Sequence, residues 1–532
     1  MSKRVRRKGD KILSSFIPGD LTESFISRVQ AFPSSIKVDY LKSEFLTKYV
    51  SHDTDPADVR RTRAINKWLA TESDNEATNV RLLLTPEEYN ILPRVSYVAF
   101  MDKCRALVSS IIGEVPPVEA LIGTFSGGAS TSRPRTASHP AAKYVGRAHV
   151  TSRAIETFDL IREECPGWLG EGCLLELQEV PGNVLFTVPK KAEIDRVACK
   201  EPDINMFLQK GIGTFFRRCL LRHRINLNDQ SINRSLARVG SITDELSTLD
   251  LSSASDSVSR EIVYSLLPVS WFTLLDSVRS PVTTIDGAEH RNEMFSSMGN
   301  GFTFELESLL FYVITRVTAY FRGFSGIVSV YGDDIICPSG ISAELTWVLN
   351  YLGFQVNPDK SHVSGPFRES CGGHYYNGYD ITPFYLRAPI QSLPDLIDVA
   401  NKLRRWAGND PEPSTPGWKP MRNALDPVAE ETWLWLKSFV PKVLWGGIDT
   451  TFKYQLVSDD TPNLRISEDM QRKGTGIGGY MHWLNTTWER ELPSRDAVAT
   501  SSRTGVSGKY RTRRARVSTV DRLHNLFLHE MG

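Results

Sequence analysis

Apolar residues fall into strand and helix periods most clearly between residues 245 and 360. Ile327-Val328-Ser329-Val330-Tyr331 and Ile335-Ile336-Cys337 are short β-prone runs flanking Gly332-Asp333-Asp334, and Pro338 stops the second. Two such runs joined by Gly-Asp predict a β-hairpin. Upstream, Ser247-Thr248-Leu249 predicts a strand that delivers Asp250 at its C-terminal end. A turn of small residues then leads to a predicted helix over 257–267, with Val258, Ile262, Val263, Leu266 and Leu267 on one face. Asp256 stands at its N-cap position, and Pro268 ends it. A longer helix is predicted from Phe302 to about Phe321, with a stripe of Phe302, Leu306, Leu309, Leu310, Val313, Ile314 and Val317. Glu305, Glu307 and Arg316 interrupt that run and argue against a membrane span. Ser342 to Leu352 predicts another helix, closed by Gly353, and Phe354 to Asn357 a returning strand before Lys360.

Chemistry enters where this pattern is broken by charge. Two adjacent carboxylates at a hairpin tip repel each other unless a cation neutralises them. Hard oxygen ligands suit Mg²⁺, which is usually held by one or two carboxylates plus substrate phosphates. Asp250 is notable because strand interiors are depleted in Asp. Ser296-Ser297-Met298-Gly299-Asn300-Gly301 precedes the long helix. Its glycines permit close backbone approach to a ligand, and Asn300 offers both a donor and an acceptor. Asp256 keeps two readings, a helix cap or a ligand-binding carboxylate.

Composition narrows the class. A chain of 532 residues allows roughly three to four structural units by the usual domain size. With 63 basic and 62 acidic residues, the whole chain is no obvious nucleic-acid binder, so local clusters must carry that role. Seven cysteines without a Cys-x-x-Cys pair argue against a disulfide framework or zinc site and for a reducing compartment. No apolar signal-like segment opens the chain, and a cytosolic enzyme is expected. Basic residues gather at Lys3, Arg4, Arg6, Arg7, Lys8 and Lys11, and at Arg503, Lys509, Arg511, Arg513, Arg514 and Arg516. A third cluster, from 190 to 224, includes Lys190, Lys191, Arg196 and Lys200. Each can grip phosphates without reading sequence, or be simply solvated. The Gly/Ser/Thr/Pro/Arg-rich stretch Gly123 to Pro140 reads as an exposed loop. Beyond residue 390, Trp406, Trp418, Trp433, Trp435 and Trp445 mark a largely helical region whose aromatics read as core.

Asp250-x5-Asp256, then Ser297-Met-Gly-Asn-Gly-Phe-Thr-Phe-Glu-Leu-Glu-Ser308, then Tyr331-Gly-Asp-Asp-Ile-Ile resembles motifs A, B and C of viral RNA-dependent RNA polymerases. With Gly365-Pro-Phe-Arg-Glu-Ser-Cys371, Phe186-Thr-Val-Pro-Lys190, Ala198 to Asp203 and Leu227 to Asn233, the pattern is similar to the replicase β subunit of the small positive-strand RNA bacteriophages, the levivirus type. The match is specific from about residue 180 to 390 and faint in both flanks. The resemblance implies an α+β right-hand polymerase. Fingers and the N-terminal region would span 1–240, a palm of antiparallel sheet and helices 241–390, and a thumb with a basic tail 391–532. It implies primer-independent RNA synthesis by two-metal nucleotidyl transfer. Asp250 and Asp333 would be principal ligands of two Mg²⁺ ions, with Mn²⁺ as a substitute, and Asp334 would support them. Lys360 matches the motif D lysine, a candidate proton donor to the leaving pyrophosphate, with a plain surface lysine as the other reading. Asp256 and Asn300 would meet the ribose 2′-hydroxyl. Lys190, Lys191, Arg196 and Lys200, with Ser297 and Gly299, would line the nucleotide and template path. The expected partners are an RNA template, NTPs, host elongation factors Tu and Ts and a ribosomal RNA-binding protein, in the cytoplasm of an infected bacterium.

Two rivals stand beside this reading. A reverse transcriptase uses a similar paired-Asp turn, but a DNA-making site favours a bulky residue where Asp256 and Asn300 are polar. A metal-dependent phosphohydrolase, or a silent RNA-binding protein, is the rival from another class. A hydrolase needs a water-activating base, and His290 and His362 only flank the acidic motifs.

Overall fold

A three-stranded antiparallel sheet carries the acidic motifs in the computed structural model, which describes residues 17–50, 55–171, 173–408, 426–440 and 456. Strand Ser329–Tyr331 turns into Asp334–Pro338, and Leu246–Leu249 pairs on the far side of the latter. Tyr331 faces Asp334 across the hairpin, leaving Gly332 and Asp333 as a two-residue loop. Gly332 has φ of +61°, and a Cβ there would stand 2.5 Å from the Phe304 ring. Glycine at the first loop position with positive φ is the requirement of a type II′ hairpin, whose twist matches the strands. The fold around the sheet mixes helix and strand, as α+β predicts.

Helix Thr303–Phe321 backs this sheet. Leu306, Leu309, Leu310, Val313 and Ile314 are completely buried, so the predicted stripe does face the core. Truncating Leu310 to Ala would cost about 2–5 kcal/mol, through lost burial and the cavity left behind. Helix Ser342–Tyr351 ends ahead of Gly353, whose φ of +98° gives the left-handed exit predicted for it. The expected helix over 257–267 is shorter: a 3₁₀ turn spans Ala254–Ser257, and the α-helix runs Arg260–Leu266 with Ser259 before it. Asp256 therefore caps no helix. The returning strand expected at 354–357 is reduced to one bridge, Val356 with Leu251, plus backbone bonds from Ser252 to Gln355 and from Asn357 to Asp250.

Chain contacts divide the protein into two compact units, residues 54–382 and residues 1–53 with 383–532. In the larger, Asn183–Pro189 and Asp195–Lys200 form a hairpin extended by Val282–Ile285 and Ala288–Arg291. The segment Gly123 to Pro140 holds the 3₁₀ turn Arg135–Ala137 and runs into a second at Pro140, but is not exposed throughout. Ser130 is buried and its hydroxyl donates to Asp203 at 2.7 Å. In the smaller unit, Leu21–Gln30, Ile36–Glu44, Leu393–Ala407 and Pro427–Ser438 are helices around Phe25, Phe45, Leu396, Trp406 and Trp433. Residues 17–50 thus pack with the segment after 383. Trp406 and Trp433 are core residues there, as expected. Trp418, Trp445 and both terminal basic runs lie outside the described residues.

Candidate active site

Asp250 leaves its strand with its backbone held by a neighbouring turn. Its N–H donates to Ser361 Oγ at 3.1 Å, and its carbonyl accepts from the Asn357 N–H at 2.9 Å. Its side chain is held as well. Asn357 Nδ2 donates to Oδ2 at 3.2 Å, and Lys360 Nζ stands 3.4 Å from Oδ1. Lys360, the candidate proton donor, thus forms an ion pair with Asp250. Burial pulls the Lys360 pKa down, but the charges of Asp250, Glu369 and Asp333 outweigh it and leave it above the usual value.

The hairpin supplies the other two carboxylates. Burial and the Asp250 charge raise the pKa of Asp333, with Lys360 and Arg196 opposing. Asp334 is pushed up to about 6 by burial and by the charges of Asp333 and Asp250. It is also anchored: Ser370 Oγ donates to its Oδ1 at 3.2 Å, and Asn233 Nδ2 donates to its carbonyl at 3.2 Å. Three acids that repel one another electrostatically suit a hard cation. Among the described residues, no three His, Cys, Asp or Glu side chains form a ready metal cage. Mg²⁺ asks for fewer protein ligands, since substrate phosphates and water complete its shell. The donor set fits on those terms.

Behind the hairpin lies a carboxyl that the sequence reading left without a role. Glu307 is 3% exposed and accepts from Ser255 Oγ at 2.8 Å, and burial with the Asp333 charge holds its pKa well above the carboxylate range. It joins the turn after Asp250 to the helix under Gly332. Ser308 Oγ, beside it, accepts from the Gly332 N–H at 2.9 Å. The spacing of both to Ser297 was visible in sequence, but not that they face the loop.

Asp256 Oδ1 and Asn300 Nδ2 are both shielded from solvent and bonded to nothing among the described residues. Asn300 Oδ1 accepts from the Phe302 N–H at 2.9 Å, which turns the amide and fixes its orientation. The Met298 N–H faces the Asp256 carboxylate. Burial and the charge of Glu72 push the Asp256 pKa up to about 7, against Lys190 and Lys67. Ser297 is buried with its hydroxyl accepting from Asn183 Nδ2 at 2.9 Å. Gly299, at φ +121°, is tight against protein: a Cβ would lie 2.1 Å from the Cys199 carbonyl oxygen. The close approach expected there is therefore to strand Asp195–Lys200, whose Cys199 N–H donates to Met298 at 2.7 Å.

The basic cluster splits. Lys190 and Lys191 lie in the loop of the 183–200 hairpin. Burial and the charges of Arg196, Lys67, Lys360 and Lys191 bring the Lys190 pKa down to about 8. Convergence of that many cations in front of the acids is a place for polyanionic substrate. Lys67, on helix Ala57–Leu84, was absent from the sequence reading because that helix lies far upstream. Lys200 stands 5.5 Å over the Phe186 ring, and Arg217 is bound to Glu305 at 2.5 Å.

Residues 13–474 match the RNA replicase beta-chain family. The chain belongs to that family. It is 40% identical over 432 residues to the RNA-directed RNA polymerase beta chain of Escherichia phage MS2, covering 80% of this chain and 76% of that one. The RNA-directed RNA polymerase subunit beta of Escherichia virus Qbeta is 39% identical over 79% of this chain and 69% of its own. A solved structure titled as the BmCPV RNA-dependent RNA polymerase at elongation state overlaps 77% of this chain and 37% of its own, at a TM-score of 0.36 and 11% identity, too slight for any conclusion to rest on.

Proposed function

We propose that this replicase beta chain copies a viral positive-strand RNA genome by nucleotidyl transfer at Asp250, Asp333 and Asp334. It is an RNA-directed RNA polymerase. The observation that carries the site assignment is the antiparallel sheet that sets the end of strand 246–249 beside the 332–333 loop, so that Asp250 and Asp333 feel each other's charge. Asp250 and Asp333 would hold two Mg²⁺ ions, with Asp334 supporting through its bonded carboxylate. Metal held there would supply a lower pKa for the attacking 3′-hydroxyl and neutralisation of the leaving pyrophosphate. Lys360, already at Asp250, is placed to give a proton to the leaving oxygen. Lys190, Arg196 and Lys67 orient the triphosphate. Asp256 and Asn300, polar and unfilled, favour a ribonucleotide over a deoxynucleotide.

In this reading the sheet 246–338 is the palm and the hairpin 183–200 belongs to the fingers, with residues after 390 as thumb. RNA and NTPs are the substrates. Elongation factors Tu and Ts and a ribosomal RNA-binding protein are the expected host partners in the bacterial cytoplasm. Among the described residues no helix is long and apolar enough to cross a membrane. The test is incubation with RNA template, NTPs and Mg²⁺, without primer. Template-length product is expected. Shortening of the template, or binding without synthesis, would overturn the proposal.

A further inference from the structure

Helix Ala57–Leu84 carries polar groups where a core helix would be apolar. Its inward face places Glu72, Asn75, Thr78 and Asn79 at 2–8% exposure, beyond the buried Ala64 and Trp68. Burying such groups is costly unless each is bonded, so their partners reveal what the stripe holds. Glu72 Oε2 accepts from the Glu293 N–H at 2.8 Å and meets His290 Nε2 at 2.9 Å. Glu72 Oε1 accepts from the Met294 N–H at 2.9 Å and from Asn75 Nδ2 at 3.2 Å. Asn79 Nδ2 donates to the Glu293 carbonyl at 3.1 Å, and its Oδ1 accepts from the Glu261 N–H at 2.9 Å. Asn75 Nδ2 reaches further, donating to the Asp256 carbonyl at 2.7 Å.

One helix therefore grips both segments that bear the sugar-facing groups. The run Glu293–Met294 leads directly to Ser297, Gly299 and Asn300, and the turn 254–257 ends in Asp256 and Ser257. A backbone bond from Phe295 to the Val258 carbonyl at 2.7 Å joins the two runs from the other side. Only the segment with Asp256 is held at the functional residue itself, by Asn75. We propose that Asn75 is a positioning residue for ribose selection. By fixing the Asp256 carbonyl, it sets the position from which the Asp256 carboxylate would meet a 2′-hydroxyl. This rests on the sugar-selecting reading of Asp256 given above. A residue that merely packed the helix would affect ribo- and deoxynucleotides alike. One that holds a hydrogen-bonding group in position affects their ratio, because a site built for a hydroxyl discriminates through the groups left unpaired without it.

The test compares kcat/KM for an NTP and its matched dNTP with the full-length chain, purified together with the chains that accompany it from infected cells. Wild type, Asn75→Leu, Asp256→Ala and the double variant are measured. Asn75→Leu keeps the volume and removes the donor, and the ribose preference should fall about tenfold, the worth of one hydrogen bond. The double variant should be no less selective than Asp256→Ala alone, since residues that act through one another are not additive. Equal loss of both substrates in Asn75→Leu, or additive losses in the double variant, would overturn the proposal. If Asp256→Ala leaves the preference unchanged, the sugar reading and this inference fall together. If only Asn75→Leu leaves it unchanged, this inference falls alone. Should Asn75→Leu show no cooperative thermal melt, Asn75→Ser replaces it, its hydroxyl being too short to reach the carbonyl, with the same outcomes.

Discussion

At the acidic end of the site, Asp250 is bonded to Asn357 and Lys360, and Asp334 to Ser370. At the sugar end, Asp256 Oδ1 and Asn300 Nδ2 are as well buried and have no partner among the described residues. The contrast follows from what each end must bind. A cation takes over a carboxylate by exchange, so Lys360 and Asn357 can hold Asp250 until it arrives. A hydroxyl is weakly bound by comparison. Discrimination against its absence comes from groups left unpaired when it is missing. Charge is parked at one end and hydrogen-bonding capacity is left open at the other.

The largest expected effect breaks the acidic end. Asp333→Asn keeps the shape of the hairpin loop but removes the charge a hard cation needs. Incorporation should fall about a thousandfold or more, as for loss of a principal electrostatic group. RNA retention on filters should change little. Normal extension by this variant would remove Asp333 from the metal site and the contrast with it.

Next comes the parked cation. Lys360→Met should lower kcat by about a hundredfold if the lysine protonates the leaving group. The same variant should bind Mn²⁺ more tightly in titration calorimetry, because Asp250 is no longer occupied. Unchanged kcat with unchanged Mn²⁺ affinity would return Lys360 to an incidental surface ion pair.

The sugar end is sharpened by Asp256→Ala and Asn300→Ala. Each should cut the ribo-to-deoxy ratio of kcat/KM by about ten- to a hundredfold, chiefly by admitting the deoxynucleotide. Equal ratios in wild type and both variants would mean that the unpaired atoms face water in the working enzyme, and not a ribose.

Legibility in the sequence followed the same divide. Tyr331-Gly332-Asp333-Asp334 announced its hairpin because loop chemistry is local: glycine at one position decides the turn. The stripe from Leu306 to Val317 announced its helix because period and burial coincide. Asp256 failed as a helix cap because the 3₁₀ turn 254–257 interposes between it and Arg260, a tertiary outcome that propensity does not encode. Gly299 was flagged as a close approach to a ligand, and what it approaches is the Cys199 carbonyl, which the sequence could not say. Glu72 and Asn75 were invisible as site residues. Their only signal is a pair of polar side chains on the face shared with Trp68, about 180 residues from Asp256 in the chain. Contacts of that separation leave no periodic trace.

The smallest expected effect tests whether the open sugar end does cost stability. Burial and the Glu72 charge raise the Asp256 pKa from 3.8 to about 7. Between those values the folded protein holds a proton that the unfolded chain has released. The contribution of this group to stability is therefore complete below pH 3.8, declines as pH rises through the window, and is fully lost above about 7. Asp256→Asn removes the titration without removing the volume. Wild type and variant should melt most nearly alike at the acidic end of the accessible range. The variant should melt progressively higher as pH rises, by on the order of a few kcal/mol once the window is passed. Thermal denaturation at closely spaced pH values, without nucleotide, measures this difference directly. A gap between the two melting curves that does not vary with pH would show that the Asp256 carboxylate is satisfied in the resting protein. The two ends of the site would then not differ in the way their hydrogen bonds suggest. A gap that widens with pH and then levels would mean that Asp256 is kept as a carboxylate for selection, at a cost the fold bears.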